Sequence, residues 1–466
     1  MPFVLFLLYV FLSYVYPGEI FPALAAYRVT FVVGLSGLVF SVLWLVSKRS
    51  TPLATRQLWF LAAFTLTLVA SRMLAERWFG AVIPALTQFG PSVAMFVLTV
   101  CSVDSLRKLK TTAGCIVLLS VALVLQGVLA YHFGYKANMF LYDPATRAEY
   151  VASADASEDE APAEDIGTPD NEDEGVGYTP DDEAGEYDGS TLKRIRGLGL
   201  LHDPNDLALG LVMALPLLWI GWREGKTMRN LLLVGLPSAA LIYGLFLTRS
   251  RGGALALGII LCAALSRRIG RVAAIALLLV LTAGGLAADF ASGRQLSISD
   301  ESASGRLQAW TEGFEMLKSE PLLGVGYGQF LEHHTLTAHN SFVLCFAETG
   351  FIGYFFWIGL IVICVAELRG LQKLPGADPL TCEIRRWSKT LQLSLVGFLT
   401  AGFFLSRTFI PMLYLLFGLC VALVLIARQA QKPVRAISLP RLGSLVLASE
   451  FGSILFIYIA IKLYLA

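Results

Sequence analysis

Charge is scarce in this chain. Only 15% of its 466 residues are Asp, Glu, Lys or Arg, against about 25% in a soluble domain. That shortage excludes an ordinary water-soluble fold of this length. Cysteine is sparse and unpatterned: Cys101, Cys115, Cys262, Cys345, Cys364, Cys382 and Cys420 are scattered, and all but Cys382 fall in or beside apolar runs. No CxxC or His/Cys metal spacing joins them, so neither a disulfide framework nor a metal centre is expected. The tract Gly324 to Gly328, G-V-G-Y-G, lacks the Lys-Ser/Thr of a Walker loop and the preceding strand of a dinucleotide fingerprint. It says only that the backbone turns tightly. No cofactor and no nucleic-acid partner are expected.

What the chain has instead is apolar length. It is 56% hydrophobic, with mean hydropathy +0.66. A bilayer core about 30 Å thick needs about 20 apolar residues per helix. Runs that can span lie near 3–16, 28–46, 57–75, 85–104, 112–132, 204–222, 229–247, 252–267, 271–288, 340–367, 388–407, 409–427 and 443–465. A β-barrel would show alternating ten-residue segments instead. The expectation is an all-α polytopic membrane protein of 12–13 transmembrane helices. The first run, Phe3 to Tyr16, has no basic leader and no small-residue cleavage site, so it reads as a retained first helix.

The basic residues orient these helices. Lys48, Arg49 and Arg56 flank the second connection, Arg107, Lys108 and Lys110 the fourth, and Arg223, Lys226 and Arg229 the sixth. Arg267, Arg268 and Arg271 mark the eighth, Arg369 to Lys389 the tenth, and Arg428 to Arg441 the twelfth. Every even connection is basic, which predicts that the even connections and the N-terminus are cytoplasmic. Residues 1–132 then hold helices 1–5, and 204–288 hold helices 6–9. The last membrane helices occupy 340–466.

Two long loops, 133–203 and 289–339, fall outside. The first contains residues 154–188, with fifteen Asp and Glu and no Lys or Arg. Setting those fifteen aside changes the net charge from +1 to +16 on the rest. This acidic tract has almost no large apolar side chain and is expected to be disordered. In the second loop Leu307, Trp310, Phe314 and Leu317 recur at helical spacing. They predict an amphipathic helix over 303–318 on the membrane surface, capped by Ser302 or Ser304 and ended by Pro321.

The outer side also collects the residues that suggest chemistry. All five histidines fall there: His132, His202, His333, His334 and His339. So do Lys193, Arg194, Arg196, Arg249, Arg251 and Arg306. Arginine costs about 2.5 kcal/mol or more at mid-membrane, so arginines packed near the interface point to an anion. Their planar forks suit phosphate oxygens. Gly252 and Gly253 allow close approach beside Arg251. His339 precedes a membrane helix, whose N-terminal dipole disfavours a protonated imidazole and keeps it available as a base. Asn340 follows it. Glu348 lies about 14 Å further along that helix and is a carboxylate within a span. Its two roles are substrate contact or pairing with a neighbouring arginine. Asp203 and Pro204 read as N-cap and first residue of the sixth span, leaving Asn205 able to reach a substrate.

Four blocks in order resemble the O-antigen ligase and polymerase superfamily of bacterial envelope enzymes. They are D-P-N-D-L-A-L from Asp203, S-R-G-G from Ser250, S-G-R-L-Q-A-W followed by P-L-L-G-V-G-Y-G, and A-H-N-S-F followed by E-T-G-F-I-G. The resemblance covers about Gly197 to Leu360 and implies a lipid-linked glycosyltransferase (GT-C-like) bundle at the bacterial inner membrane, with 289–339 as a periplasmic catalytic loop. It implies a metal-independent, inverting transfer of a glycan from undecaprenyl diphosphate to an acceptor hydroxyl. In ligases that hydroxyl belongs to a lipid A core sugar. The family's arginines match Arg251 and Arg306, and its histidine matches His339. Those three are the expected catalytic residues. Arg249, Arg196, Asn205, Asn340 and Glu348 are the expected diphosphate or sugar contacts. The acidic insert and a thirteenth span depart from the usual ligase plan. A polysaccharide polymerase and a protein O-oligosaccharyltransferase fit the same blocks. An anion transporter is the reading from another class, but no repeated halves with midplane helix breaks are visible.

Overall fold

The computed structural model describes residues 2–48, 55–142, 193–270, 272–273, 276, 296–434 and 437–465. The acidic tract and nearly all of the ninth apolar run lie outside the described residues. The other twelve runs are helices, and an additional helix occupies the second long loop. They are α1 (Pro2–Tyr14), α2 (Val29–Lys48), α3 (Arg56–Glu76), α4 (Val82–Ser102), α5 (Leu106–Phe133), α6 (Pro204–Trp219), α7 (Leu236–Leu247), α8 (Arg251–Ile269), α9 (Leu296–Ser319), α10 (Ser341–Gln372), α11 (Pro379–Gly402), α12 (Pro411–Gln429) and α13 (Leu439–Leu465). Seven helices among the described residues are long and apolar enough to cross a membrane, counting the turn that extends α7 back to Thr227. The chain is a multi-pass membrane protein. A two-residue antiparallel pair joins β1 (Leu141–Tyr142) to β2 (Arg194–Ile195).

Helix α6 beyond its first turn and α12 before its last are apolar all round and buried. The spanning window of α12 is 89% buried, while that of α13 is 22% buried and faces outward. A helix without a polar face belongs at the centre of the bundle. Small residues let the helices approach there. A methyl on Gly418 of α12 would lie 2.7 Å from the Thr99 side chain of α4, and one on Gly397 of α11 equally close to Val212 of α6. Trp357, Trp387, Tyr354 and Tyr414 fill the remaining space and are all but fully buried.

The connections sort into two sets, one at each end. Lys110 pairs with Glu383, Arg428 with Glu367, and Lys432 with Asp378. The Arg56 guanidinium donates to the Ile437 carbonyl, and Arg386 to the Ile220 and Trp222 carbonyls. All of these bonds join even connections or the helix ends beside them. At the other end Gly199 donates to Glu19, Arg194 reaches Asn205 and the Thr248 carbonyl, and Thr337 bonds Ser406. No bond named here crosses between the sets. Alternating passage of the helices through a bilayer requires this separation.

α10 is broken once. Gly350 adopts φ 61° and ψ −166°, a conformation open to glycine. The break frees backbone groups in an apolar interior, where each needs a partner. The glycine-rich segment after α9 provides them. Val325 and Gly326 donate to the Ala347 and Glu348 carbonyls at 3.0 and 3.2 Å. Phe351 and Ile352 donate to the Pro321 and Leu322 carbonyls at 2.8 and 3.2 Å. Gly324, at φ 71°, passes so close that a methyl there would lie 2.3 Å from the Glu348 carbonyl carbon.

α9 differs from the surface helix expected from sequence. It begins at Leu296, so Ser302 and Ser304 lie inside it rather than at its cap. Its apolar stripe faces protein. The Phe314 ring is 5.0 Å from Phe346 of α10 and 5.9 Å from Tyr458 of α13. Trp310 meets Phe403 beyond α11 at 5.5 Å. Periodicity identified the face; the partner was a matter of tertiary packing.

Substituting Gly350 or Gly324 forces a side chain into backbone at positive φ. Gly350→Ala and Gly324→Ala should each destabilise the protein by about 1–3 kcal/mol. Thermal unfolding in detergent measures this, with Gly370→Ala, where a methyl meets open space, as the control expected to change little.

Candidate active site

The residues singled out by sequence come largely to one end of the bundle. Asp203 caps α6, accepting from the Asn205 and Asp206 amides at 2.6 and 3.4 Å. The next carboxylate, Asp206, is 1% exposed and meets Arg407 from the connection between α11 and α12. The Arg407 Nε donates to Oδ1 at 2.5 Å and its terminal nitrogen to Oδ2 at 2.9 Å. Burial pushes the Arg407 guanidinium down to about 9, so it stays charged at neutral pH.

Arg407 also locates the start of α10. Its amide donates to the Ser341 hydroxyl at 2.9 Å, and that hydroxyl donates to the Leu405 carbonyl at 2.6 Å. The Thr408 hydroxyl donates to the Ser341 carbonyl at 2.6 Å. One buried ion pair therefore ties the N-terminus of α6 to that of α10, where His339 and Asn340 stand. Asn340 is fully buried and caps α10 through Oδ1, accepting from Phe342 and Val343. Its Nδ2 has no hydrogen-bond partner among the described residues. His339 is half-buried, with φ 44°, a left-handed conformation uncommon outside glycine.

Arg249 and Arg251 flank the turn into α8. Arg249 also has positive φ, at 56°, and its guanidinium lies 5.2 Å from the centre of the Phe246 ring, within cation–π range. Arg251 is exposed and is the first residue of α8, whose N-cap is Ser250. A cation at a helix N-terminus opposes the helix dipole, so an anion there would relieve it. Arg194, one of the basic residues before α6, holds this turn. It donates to the Thr248 carbonyl at 2.9 Å and to the Asn205 side chain at 3.0 Å.

Two adjacent rings join these parts to α9. A methyl on Gly252 would lie 3.2 Å from Phe404. Phe404 is 5.3 Å from Phe403, which is 5.9 Å from Phe342 at the start of α10 and 5.5 Å from Trp310. Trp310 lies one turn beyond half-buried Arg306 on α9. The segments bearing Arg251, Arg306 and His339 thus meet around Phe403 and Phe404.

Two expected contacts are engaged elsewhere. Arg196 donates to the Met139 and Asn138 carbonyls at 3.1 and 2.8 Å, closing the paired loop beside β2. Glu348 is buried beneath the glycine-rich segment, where its Oε1 accepts from the Phe330 amide at 3.3 Å. Arg72 of α3 is close enough to act on it electrostatically. Sequence reasoning had missed Arg407. The criterion that singles out Arg249 and Arg251, an arginine in an odd connection, applies equally to it.

Removing one member of a buried ion pair costs about 3–5 kcal/mol, because the other charge stays behind. Asp206→Asn and Arg407→Met should each lose about that much stability in thermal unfolding. The double variant Asp206→Leu with Arg407→Met should recover part of the loss. Additive losses would mean that the two side chains do not act as a pair.

Residues 236–358 match the family described as O-Antigen ligase. That segment runs from α7 to the middle of α10 and includes Arg249, Arg251, Arg306, His339, Asn340 and Glu348. No curated protein sequence matched the chain. The match over residues 236–358 supports a likeness to the O-antigen ligase-like superfamily.

Proposed function

We propose that this protein transfers a glycan from undecaprenyl diphosphate to an acceptor hydroxyl at the outer face of the bacterial inner membrane. One observation carries the proposal. The segments bearing an imidazole and two guanidinium groups, all inside the family-matched region, meet at the bundle end opposite the basic connections. Basic connections favour the cytoplasm, so this end is assigned to the periplasm.

The chemistry follows from the residue types. His339 takes the proton from the acceptor hydroxyl. The oxygen attacks the anomeric carbon of the donor sugar, and the bond from that carbon to the diphosphate oxygen breaks on the opposite face. The anomeric centre inverts and undecaprenyl diphosphate leaves. Arg251 and Arg306 stabilise the charge that grows on the diphosphate, preorganised where little water competes. Arg249 is a further anion contact. Asn205 and Asn340 contact sugar or phosphate at the two helix N-termini. Arg196 and Glu348 are further diphosphate or sugar contacts whose hydrogen bonds to backbone hold them in place. The acceptor is a lipid A core sugar or another glycan hydroxyl; product analysis distinguishes ligation from polymerisation and from transfer to protein.

A transfer assay in purified membranes with an undecaprenyl-diphosphate-linked donor tests the scheme. His339→Ala should lower the rate about 10²–10⁴-fold, the usual contribution of general-base help. Arg306→Ala and Arg251→Ala should each lower it about 10²–10³-fold, as loss of an electrostatic stabiliser does. Wild type should keep its rate in chelator. Full activity in both His339→Ala and Arg306→Ala would remove the mechanism, and a strict need for Mg²⁺ or Mn²⁺ would count against it.

A further inference from the structure

The opposite end of the bundle holds a cavity of about 340 Å³ between the start of α5, the end of α6, the lead-in to α7 and the start of α11. Four cations line it: Lys110, Arg223, Arg229 and Arg386. A single carboxylate, Glu383, faces them and pairs with Lys110 at 2.5 Å. The lining therefore carries a net charge of +3. Two of the arginines are held by backbone. Arg229 donates to the Gly221 carbonyl at 2.9 Å, and Arg386 to the Ile220 and Trp222 carbonyls at 2.9 and 3.2 Å. These bonds fix the guanidinium groups and leave each with further N–H donors. Asn230 clasps the Arg223 backbone through its N–H and C=O, at 2.9 and 2.5 Å. Among the described residues the Arg223 side chain has no ion-pair partner.

The remaining wall is apolar. Leu217, Val234 and Trp387 line it, and Leu233 belongs both to the cavity and to exposed leucines with Leu231 and Leu232. Trp222, between the lining residues Gly221 and Arg223, is 55% exposed, as interfacial tryptophans are. A cationic pocket that opens onto a lipid-facing leucine strip suits a ligand with an anionic head and an apolar tail. A free phosphate would have no use for the strip.

We propose that this cavity is a binding site for the phosphate headgroup of an anionic glycerophospholipid, its acyl chains lying along Leu231 to Leu233. Basic pockets between membrane helices bind such headgroups by charge. The site is remote from the transfer chemistry proposed above, and its test does not depend on that activity.

Native mass spectrometry of the purified full chain, titrated separately with phosphatidylglycerol, phosphatidylcholine and inorganic phosphate, is the test. Phosphatidylglycerol should be retained over phosphatidylcholine by at least about 5-fold, the effect of one cation near a headgroup. Arg223→Gln with Arg229→Gln should reduce that preference by about 5-fold, toward parity. Because Arg229 also holds the end of α6, a second variant keeps the test independent of folding. Glu383→Gln removes the competing carboxylate and should raise the preference about 2–5-fold. Equal retention of the two lipids, an unchanged preference in Glu383→Gln, or binding of inorganic phosphate without phosphatidylglycerol would each overturn the assignment.

Discussion

A backbone polar group without a partner inside an apolar bundle costs several kcal/mol, and the break in α10 creates this problem at its centre. The glycine-rich segment solves it by laying two amides and two carbonyls against the open turn around Gly350. That contact also anchors the end of α9. Once α9 is attached at Pro321 and packed through Phe314 onto α10, Arg306 can only stand toward the N-terminal end of α10, where His339 is. The Ser71 hydroxyl adds a bond to the Glu348 carbonyl at 2.6 Å, joining α3 to the same junction.

The ion pair between Asp206 and Arg407 does comparable work at the other border of the site. Two helix N-termini, those of α6 and α10, must stand side by side with their dipoles pointing alike. A buried carboxylate in the first turn of α6 suits the positive end of its helix, and the bidentate arginine neutralises it while its own amide bonds Ser341. Such a pair adds little net stability compared with apolar packing, but it fixes geometry. His339 and Arg249 both hold left-handed backbone beside this frame. Strain of that kind persists only where the surroundings over-determine the chain, and here the surroundings are Arg194, Arg407 and Ser341.

Much of this was legible without coordinates. Twelve apolar runs became helices because lipid leaves the backbone few alternatives. The split of the connections into two ends followed from where Lys and Arg accumulate. The Asp203 cap of α6 was visible from its position before Pro204. The stripe on α9 was readable from its spacing, though not its partner, since an apolar face is served equally well by lipid or by another helix. The backbone partners of Arg196 and Glu348 were not legible, because an arginine near a site and a carboxylate in a span look the same in sequence whatever they meet. Arg407 stands at the edge of an apolar run, where nothing local marks its partner Asp206.

Sequence by itself determined the solvent, the number of candidate crossings, the sidedness of charge and the resemblance to the superfamily. Each depends on local composition or on short motifs read in order. Only tertiary structure decided that the glycine-rich segment repairs a broken helix, that Asp206 and Arg407 join two helix ends, and that four distant segments meet at Phe403 and Phe404. Those outcomes depend on which buried polar groups find partners across long stretches of chain, and no local pattern encodes the pairing.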